Sequence, residues 1–247
     1  MSISQRIVIL GAASAIAEAA ARLWAAQGAR IALVGHNAPR LEAIADDLKS
    51  RGATETTVTE LDLAKADAVV ELDKLASGFG GLDIVLLAYG VLGDQAASER
   101  DPAATAEVLH VNFNSAAAWS QAAANLFETQ KSGSLVVLGS VAGDRGRQSN
   151  YVYGAAKAGL GVLVEGIAHR LARSGARAVL VKPGFIDTPM TAAFAKNLLW
   201  AKPEAIAPVI VSAAEKGGQV VYAPTFWYFI MLVVRNIPEQ LFFKTKL

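Results

Sequence analysis

Three side chains late in the chain are spaced for acid–base work on a carbonyl or an alcohol. Tyr153 and Lys157 stand four residues apart in "YGAAK", so a helix there puts both on one face. An ammonium held beside a phenol favours the phenolate and lowers a tyrosine pKa that is ordinarily about 10, which brings proton exchange toward neutrality. Ser140 lies thirteen positions before the tyrosine, at the end of the apolar run "SLVVLG". Its hydroxyl can hydrogen-bond the same substrate oxygen and stabilise negative charge developing there. Tyr151 is a decoy, because the residue four positions beyond it is Ala155.

Elements must bring residue 140 beside residues 153 and 157, and the hydrophobic pattern supplies them. The runs "RIVIL", "RIALVG", "TTVTEL", "DIVLLA", "SLVVLG", "RAVLVK" and "QVVYA" alternate with alanine-rich segments of helical period. Most of these runs are apolar throughout, which predicts strands of a parallel sheet covered on both faces. The expectation is one α/β domain, doubly wound, with seven parallel strands and helices on both faces. Right-handed crossovers place ligand-binding loops together at the carboxyl ends of the strands. Pro39, Pro102 and Pro203 fit the first turns of helices, where a missing N–H costs nothing. Residues 1–223 form the expected catalytic domain and residues 224–247 an apolar extension.

Taken together, Ser140, Tyr153, Lys157 and the opening strand, turn and helix closely resemble the short-chain dehydrogenase/reductase family, from about Arg6 to Ala223. The resemblance implies a Rossmann-type fold and hydride transfer between a nicotinamide cofactor and a carbonyl or secondary alcohol. It implies that Tyr153 is the acid/base, that Lys157 lowers its pKa and holds the nicotinamide ribose, and that Ser140 positions the substrate oxygen. Asn112, in "HVNFNSA", fits the asparagine that orders a water in the family's proton relay. Asp62 and Leu63, in "LDL", fit the adenine site, with Asp62 accepting from the adenine amino group. Pro183, Gly184, Ile186 and Thr188, in "KPGFIDT", fit the segment passing the nicotinamide and pyrophosphate.

Two stretches depart from the family pattern. The glycine-rich first turn reads Gly11, Ala12, Ala13, Ser14, Ala15, Ile16, Ala17, with alanine at both later glycine positions. The second glycine normally allows close approach to pyrophosphate, so the departure falls on Ala15. Backbone N–H groups at the helix start, including Ala15 and Ile16, with the Ser14 hydroxyl, can still address a phosphate. In "LAYG", Ala88 and Tyr89 replace side-chain amides that brace neighbouring loops in many members, while Ala88 and Gly90 can border the adenosine ribose. After the second strand, "VGHNAPR" lacks a carboxylate; Gly35 leaves space, and His36 and Arg40 suit a 2′-phosphate. NADP is therefore the expected cofactor, ahead of NAD.

Composition narrows the partners. The chain has 247 residues, 53% of them hydrophobic and only 18% charged, below the roughly 25% charged of ordinary soluble proteins, so some apolar surface is expected to serve an interface or a membrane. A net charge of +1 with scattered cations gives no footprint for nucleic acid. The absence of cysteine excludes disulfides, thiol nucleophiles and thiolate metal sites, and no metal-ligand spacing involves His110 or His169. No signal peptide or spanning helix is predicted, and the default location is cytoplasmic. Family resemblance implies a homodimer or homotetramer.

Between Thr188 and Pro203, Met190, Phe194, Leu198, Leu199 and Trp200 suggest an apolar substrate lid or packing against the body. Arg145 and Arg147 can meet an anionic substrate group or remain surface cations. The tail "TFWYFIMLVV", with Lys244 and Lys246 beyond it, suits a peripheral membrane interface, a subunit contact or packing against its own cleft. It is similar to the tails of reductases acting on polyprenyl-phosphoryl sugars, which implies a lipid-linked or otherwise apolar substrate. A nucleotide-binding sensor or membrane-associated scaffold that has abandoned catalysis is the alternative function.

Overall fold

The structure, a computed structural model, describes residues 4–245. Lys246 therefore lies outside the described residues. The elements follow in the order β1 (Arg6–Leu10), α1 (Ala15–Ala26), β2 (Arg30–Gly35), α2 (Ala38–Ser50), β3 (Glu55–Glu60), α3 (Ala68–Phe79), β4 (Ile84–Leu87), α4 (Gln95–Ser98), α5 (Pro102–Leu109), α6 (Ala116–Gln130), β5 (Ser134–Leu138), α7 (Tyr151–Leu171), β6 (Arg177–Pro183), α8 (Pro203–Lys216), β7 (Val220–Ala223), α9 (Phe226–Asn236) and α10 (Glu239–Phe242). The seven strands make one parallel sheet in the order β3-β2-β1-β4-β5-β6-β7. Chain order reverses between β1 and β4, which opens a crevice at their carboxyl ends.

Strand pleating divides the core into two layers. Ile7 and Ile9 face α1, α2 and α8, whereas Val8 and Leu10 face α3, α6 and α7. Alanines 17, 19, 20, 21 and 25 let α1 lie close to the sheet beside Trp24. Pro39, Pro102 and Pro203 each stand in the first turn of a helix, and Asn37, Asp67 and Asp101 accept from first-turn N–H groups as caps. No helix among the described residues is long and apolar enough to cross a membrane.

The segment after β7 folds back onto the sheet edge. Trp227 and Met231 of α9 bury themselves against Tyr222 and Val141, beside the loop that follows β5. The opposite face leaves Phe229, Leu232 and Val233 exposed.

Candidate active site

A cleft of about 820 Å³ opens at the carboxyl ends of the strands. Its walls come from the β1–α1 turn, the ends of β2, β3 and β4, α5, the loops after β5 and β6, and α7. Ser140, Tyr153 and Lys157 all line it. Two glycines explain why they meet. A Cβ on Gly143 would lie 2.8 Å from the backbone at Lys157 and Ala158, and one on Gly154 would lie 2.8 Å from the Ala142 carbonyl oxygen. Backbone-to-backbone packing of the β5 loop on α7 thus brings Ser140 to the helix carrying the tyrosine and lysine. Ser140 also caps a short turn, Val141–Gly143, by accepting from the Ala142 N–H at 3.1 Å.

Electrostatics at the triad differ from the simple expectation. Burial pushes the Tyr153 phenol up to about 12, against a lowering influence from hydrogen bonding with Ser140. Burial pushes Lys157 down to about 8. The shift of Tyr153 runs opposite to the lowering expected from Lys157. The ammonium lies 5.8 Å from the ring centroid and donates to the Leu138 carbonyl at 3.0 Å. Desolvation therefore outweighs the hydrogen bond with Ser140.

Asn112 is fully buried in a wide helical turn, His110–Ser115, between α5 and α6. Its amide donates to the carbonyls of Val91 and Val108, both at 2.8 Å, and its oxygen accepts from the Val91 N–H at 3.1 Å. The side chain therefore braces the loop after β4, and its polar atoms are engaged by backbone. Gly90 lies against it, since a Cβ there would be 2.5 Å from Asn112 Oδ1 and 3.6 Å from Lys157 Nζ.

Tyr89 takes over bracing that its lost amides were expected to leave undone. Its hydroxyl lies 2.6 Å from Ser115 Oγ, and Ser115 donates to the Leu63 carbonyl at 2.7 Å. Trp119 Nε1 donates to the same carbonyl at 2.9 Å. The loops after β3 and β4 are thus tied together through the 110–115 turn. Sequence reasoning missed this because a tyrosine does the work through a partner 26 positions away.

The first turn accommodates alanine without strain. Gly11 has φ +85°, and a Cβ there would collide with Tyr89 at 2.6 Å, so this glycine is required. Ala15 and Ala17 do not share that left-handed conformation, and Ala17 packs fully into the core. Among the described residues, the N–H groups of Ala15, Ile16 and Ala17 find no acceptor, and the Ser14 hydroxyl makes no cap. Gly11, Ser14, Ala15 and Ile16 line the cleft, so this is a helix start with free donors aimed at a ligand space. A nicotinamide dinucleotide fits these residues on that observation.

The other candidates divide. His36, Asp62, Leu63, Ala88, Gly90, Pro183, Gly184, Ile186 and Thr188 line the cleft. Asp62 is held below the usual carboxylate range by Lys65, 3.0 Å away, and by the Ala64 N–H. Arg40 is not among the cleft residues; its guanidinium pairs with Glu18 of α1. Ion pairing within the α1–α2 corner, invisible to a local motif, draws it away. Arg145 likewise does not meet the cleft. It donates to the carbonyls of Val234 and Ile237 at 2.6 and 2.7 Å and stacks 3.7 Å from the Phe242 ring centroid, fastening the tail. It is neither at the substrate space nor a free surface cation, but a clamp on the C-terminal end of α9. Arg147 does line the cleft.

Met190, Phe194 and Trp200 line the cleft mouth, whereas Leu198 and Leu199 face outward. Trp200 packs on Phe194 and Phe185, and Phe185 on Trp227 of the tail, with ring centroids 6.4, 5.4 and 4.7 Å apart. Gly184 permits this contact, because any Cβ there would overlap the Trp227 indole. His110 lies 2.8 Å from the Ala64 carbonyl at the cleft rim, and His169 is exposed near the end of α7.

A doubly wound sheet with a serine, tyrosine and lysine converging on a cleft at the carboxyl ends of its strands defines a class of nicotinamide-dependent oxidoreductase. Residues 5–198 match the short-chain dehydrogenase family, and the chain belongs to that family. It is 33% identical to an uncharacterised oxidoreductase of Streptomyces coelicolor over 237 residues, covering 96% of this chain and 94% of the relative. It is 35% identical to one of Mycobacterium tuberculosis, with 94% of each chain covered. Among solved structures it is similar to levodione reductase, with a TM-score of 0.80 and 25% identity, covering 88% of this chain and 95% of that one. NAD+-bound xylitol dehydrogenase, at 20% identity and a TM-score of 0.79, shares the fold. The protein is an NAD(P)-dependent oxidoreductase.

Proposed function

We propose that the protein transfers hydride between NADP(H) and a carbonyl or secondary alcohol carried on an apolar substrate. The observation that carries this reading is the convergence of Ser140, Tyr153 and Lys157 on one wall of the cleft. The free N–H groups of Ala15 and Ile16, with Gly11 and Ser14, would hold pyrophosphate. Asp62 and Leu63 would hold adenine, Ala88 and Gly90 the ribose beside it. Pro183, Gly184, Ile186 and Thr188 would border the nicotinamide side, and Lys157 its ribose. When bound, the cofactor supplies or accepts the hydride.

The remaining chemistry belongs to the chain. Ser140 and Tyr153 each offer a hydroxyl to one substrate oxygen. A phenol near 12 keeps its proton at neutral pH, which suits donation to a carbonyl oxygen as charge builds on it. Asn112 holds the Gly90–Val91 backbone in place behind Lys157. Preference for NADP is supported by the exposed imidazole of His36 at the cleft and by the lack of a carboxylate from Gly35 to Arg40.

The aromatic series from Phe194 through Trp200, Phe185 and Trp227 joins the cleft mouth to α9, whose outer face is apolar. That continuity supports a lipid-linked or similarly apolar substrate and a tail, residues 224–247, that touches a membrane surface. Val162, 73% exposed on α7, supports self-association into a dimer or tetramer.

Replacing Tyr153 by Phe tests the central reading. Turnover of carbonyl substrates with NADPH should fall by about 10²–10⁴-fold while nicotinamide fluorescence still reports cofactor binding. Retained turnover sinks the assignment. Titration with NADPH and NADH ranks the two cofactors.

A further inference from the structure

The loop between Ser140 and α7 holds a cation without a counterion among the described residues. Arg147 lines the cleft alongside Ser140, Asn150 and Tyr153. Its Nε is buried without a hydrogen-bond partner, and so is Oδ1 of Asn150, three residues on. Burial lowers the Arg147 pKa, and Asp144 opposes this only through space. Guanidinium remains protonated in proteins, so a charge persists in this wall. Asp144 makes no hydrogen bond or ion pair with it among the described residues. Its two oxygens already accept from Lys182 and from the Tyr222 hydroxyl, both at 2.6 Å.

Other carboxylates are no nearer a solution. Two line the cleft, Asp62 and Glu107. Asp62 is paired with Lys65, and Glu107 adds to the field at that lysine, which puts both at the β3 side. Among the described residues Arg147 joins no ion pair. A buried charged donor without a partner is costly, and an unpaired guanidinium on the wall of a cleft points to an acceptor supplied by a ligand.

We propose that Arg147 receives an oxyanion, carboxylate or phosphoryl, carried by the substrate apart from its reacting carbonyl. The substrate is then an apolar carbonyl compound with one anionic group, its apolar part against Met190, Phe194 and Trp200. The planar fork of arginine suits either oxyanion. This assignment rests on the hydride-transfer reading of the same cleft.

The test uses the full chain with NADPH and matched aldehydes: benzaldehyde against 4-carboxybenzaldehyde and 4-formylphenyl phosphate, and octanal against 8-oxooctanoate. The wild-type protein should prefer an anionic member of each set. Arg147→Met should lower the anionic-to-neutral ratio of kcat/KM by about ten- to hundred-fold, with Arg147→Lys intermediate. Arg147→Lys retains the charge without the fork and serves alone if the methionine variant fails to fold. The carboxylate and phosphate arms separate the two oxyanions. An unchanged ratio in the variants, or wild-type preference for the neutral aldehydes, overturns the proposal.

Absence of turnover with every aldehyde counts against the hydride-transfer reading and leaves anion binding to be decided separately. Titration of the NADPH-bound protein with benzoate and phenyl phosphate, read by tryptophan fluorescence, then applies. Saturable binding weakened in the Arg147 variants supports the proposal. Binding by neither anion, or equal binding by the variants, overturns it.

Discussion

Lys157 should make the stability of the nucleotide-free protein rise with pH across a range where many proteins gain little. Its side chain is 5% exposed, and burial lowers it from an ordinary 10.5 to about 8. A lysine with a depressed folded pKa loses its proton first in the native state. Between about pH 8 and 10.5 the unfolded chain therefore holds more protons, and stability rises with pH. At about 1.4 kcal/mol for each unit of pKa, the full effect is about 3 kcal/mol, of which about 2 falls between about pH 7.5 and 10.

For a chain of this size that is about 4–8 °C in Tm. Tyr153, raised to about 12, works oppositely, because its unfolded form ionises first; stability from it is lost as pH climbs from about 10 to 12. The profile should therefore turn over near pH 10. Differential scanning calorimetry of wild type and Lys157→Met isolates the lysine. Its methionine variant leaves the Leu138 carbonyl without its donor, a cost independent of pH, but should lose the rise. Parallel Tm profiles for the two proteins would refute a charge buried at this position.

Two further substitutions probe the turn and the tail. Ala15→Gly should change NADPH affinity by less than about threefold, because the helix-start N–H groups are already free and Ala15 is unstrained, while costing up to about 1 kcal/mol of helix propensity. Tenfold tighter binding in a fluorescence titration would show that the methyl group had been holding the cofactor off. Arg145→Ala should destabilise the tail by about 1–3 kcal/mol through loss of two charge-assisted hydrogen bonds, read as faster proteolysis beyond Ala223. Unchanged proteolysis would mean that Trp227 and Met231 hold α9 unaided.

Much of the architecture is written locally. Apolar runs of five or six residues, separated by helical alanine-rich stretches, require a parallel sheet with two covered faces, because each strand has two apolar faces to bury. Tyr153 and Lys157 are legible for the same reason, since a four-residue spacing is a property of the helix alone. Ser140 is legible through the strand end it follows. Gly11 is recognisable as a turn, and the structure adds why it cannot be otherwise: Tyr89 occupies the space of a side chain.

What tertiary structure decided are the relations between residues far apart in the chain. Arg40, Arg145 and Arg147 look alike in sequence, as cations in loops near a predicted cleft. Glu18 takes the first, the end of α9 takes the second, and the third is left in the wall without a partner among the described residues. The phenol of Tyr153 is governed chiefly by how much water packing removes, a quantity that no spacing encodes. Local pattern determined the elements and the reacting side chains, because helix and strand periodicity act over a few residues. Folding decided which charges are satisfied, because desolvation and ion pairing depend on neighbours brought from dozens of positions away.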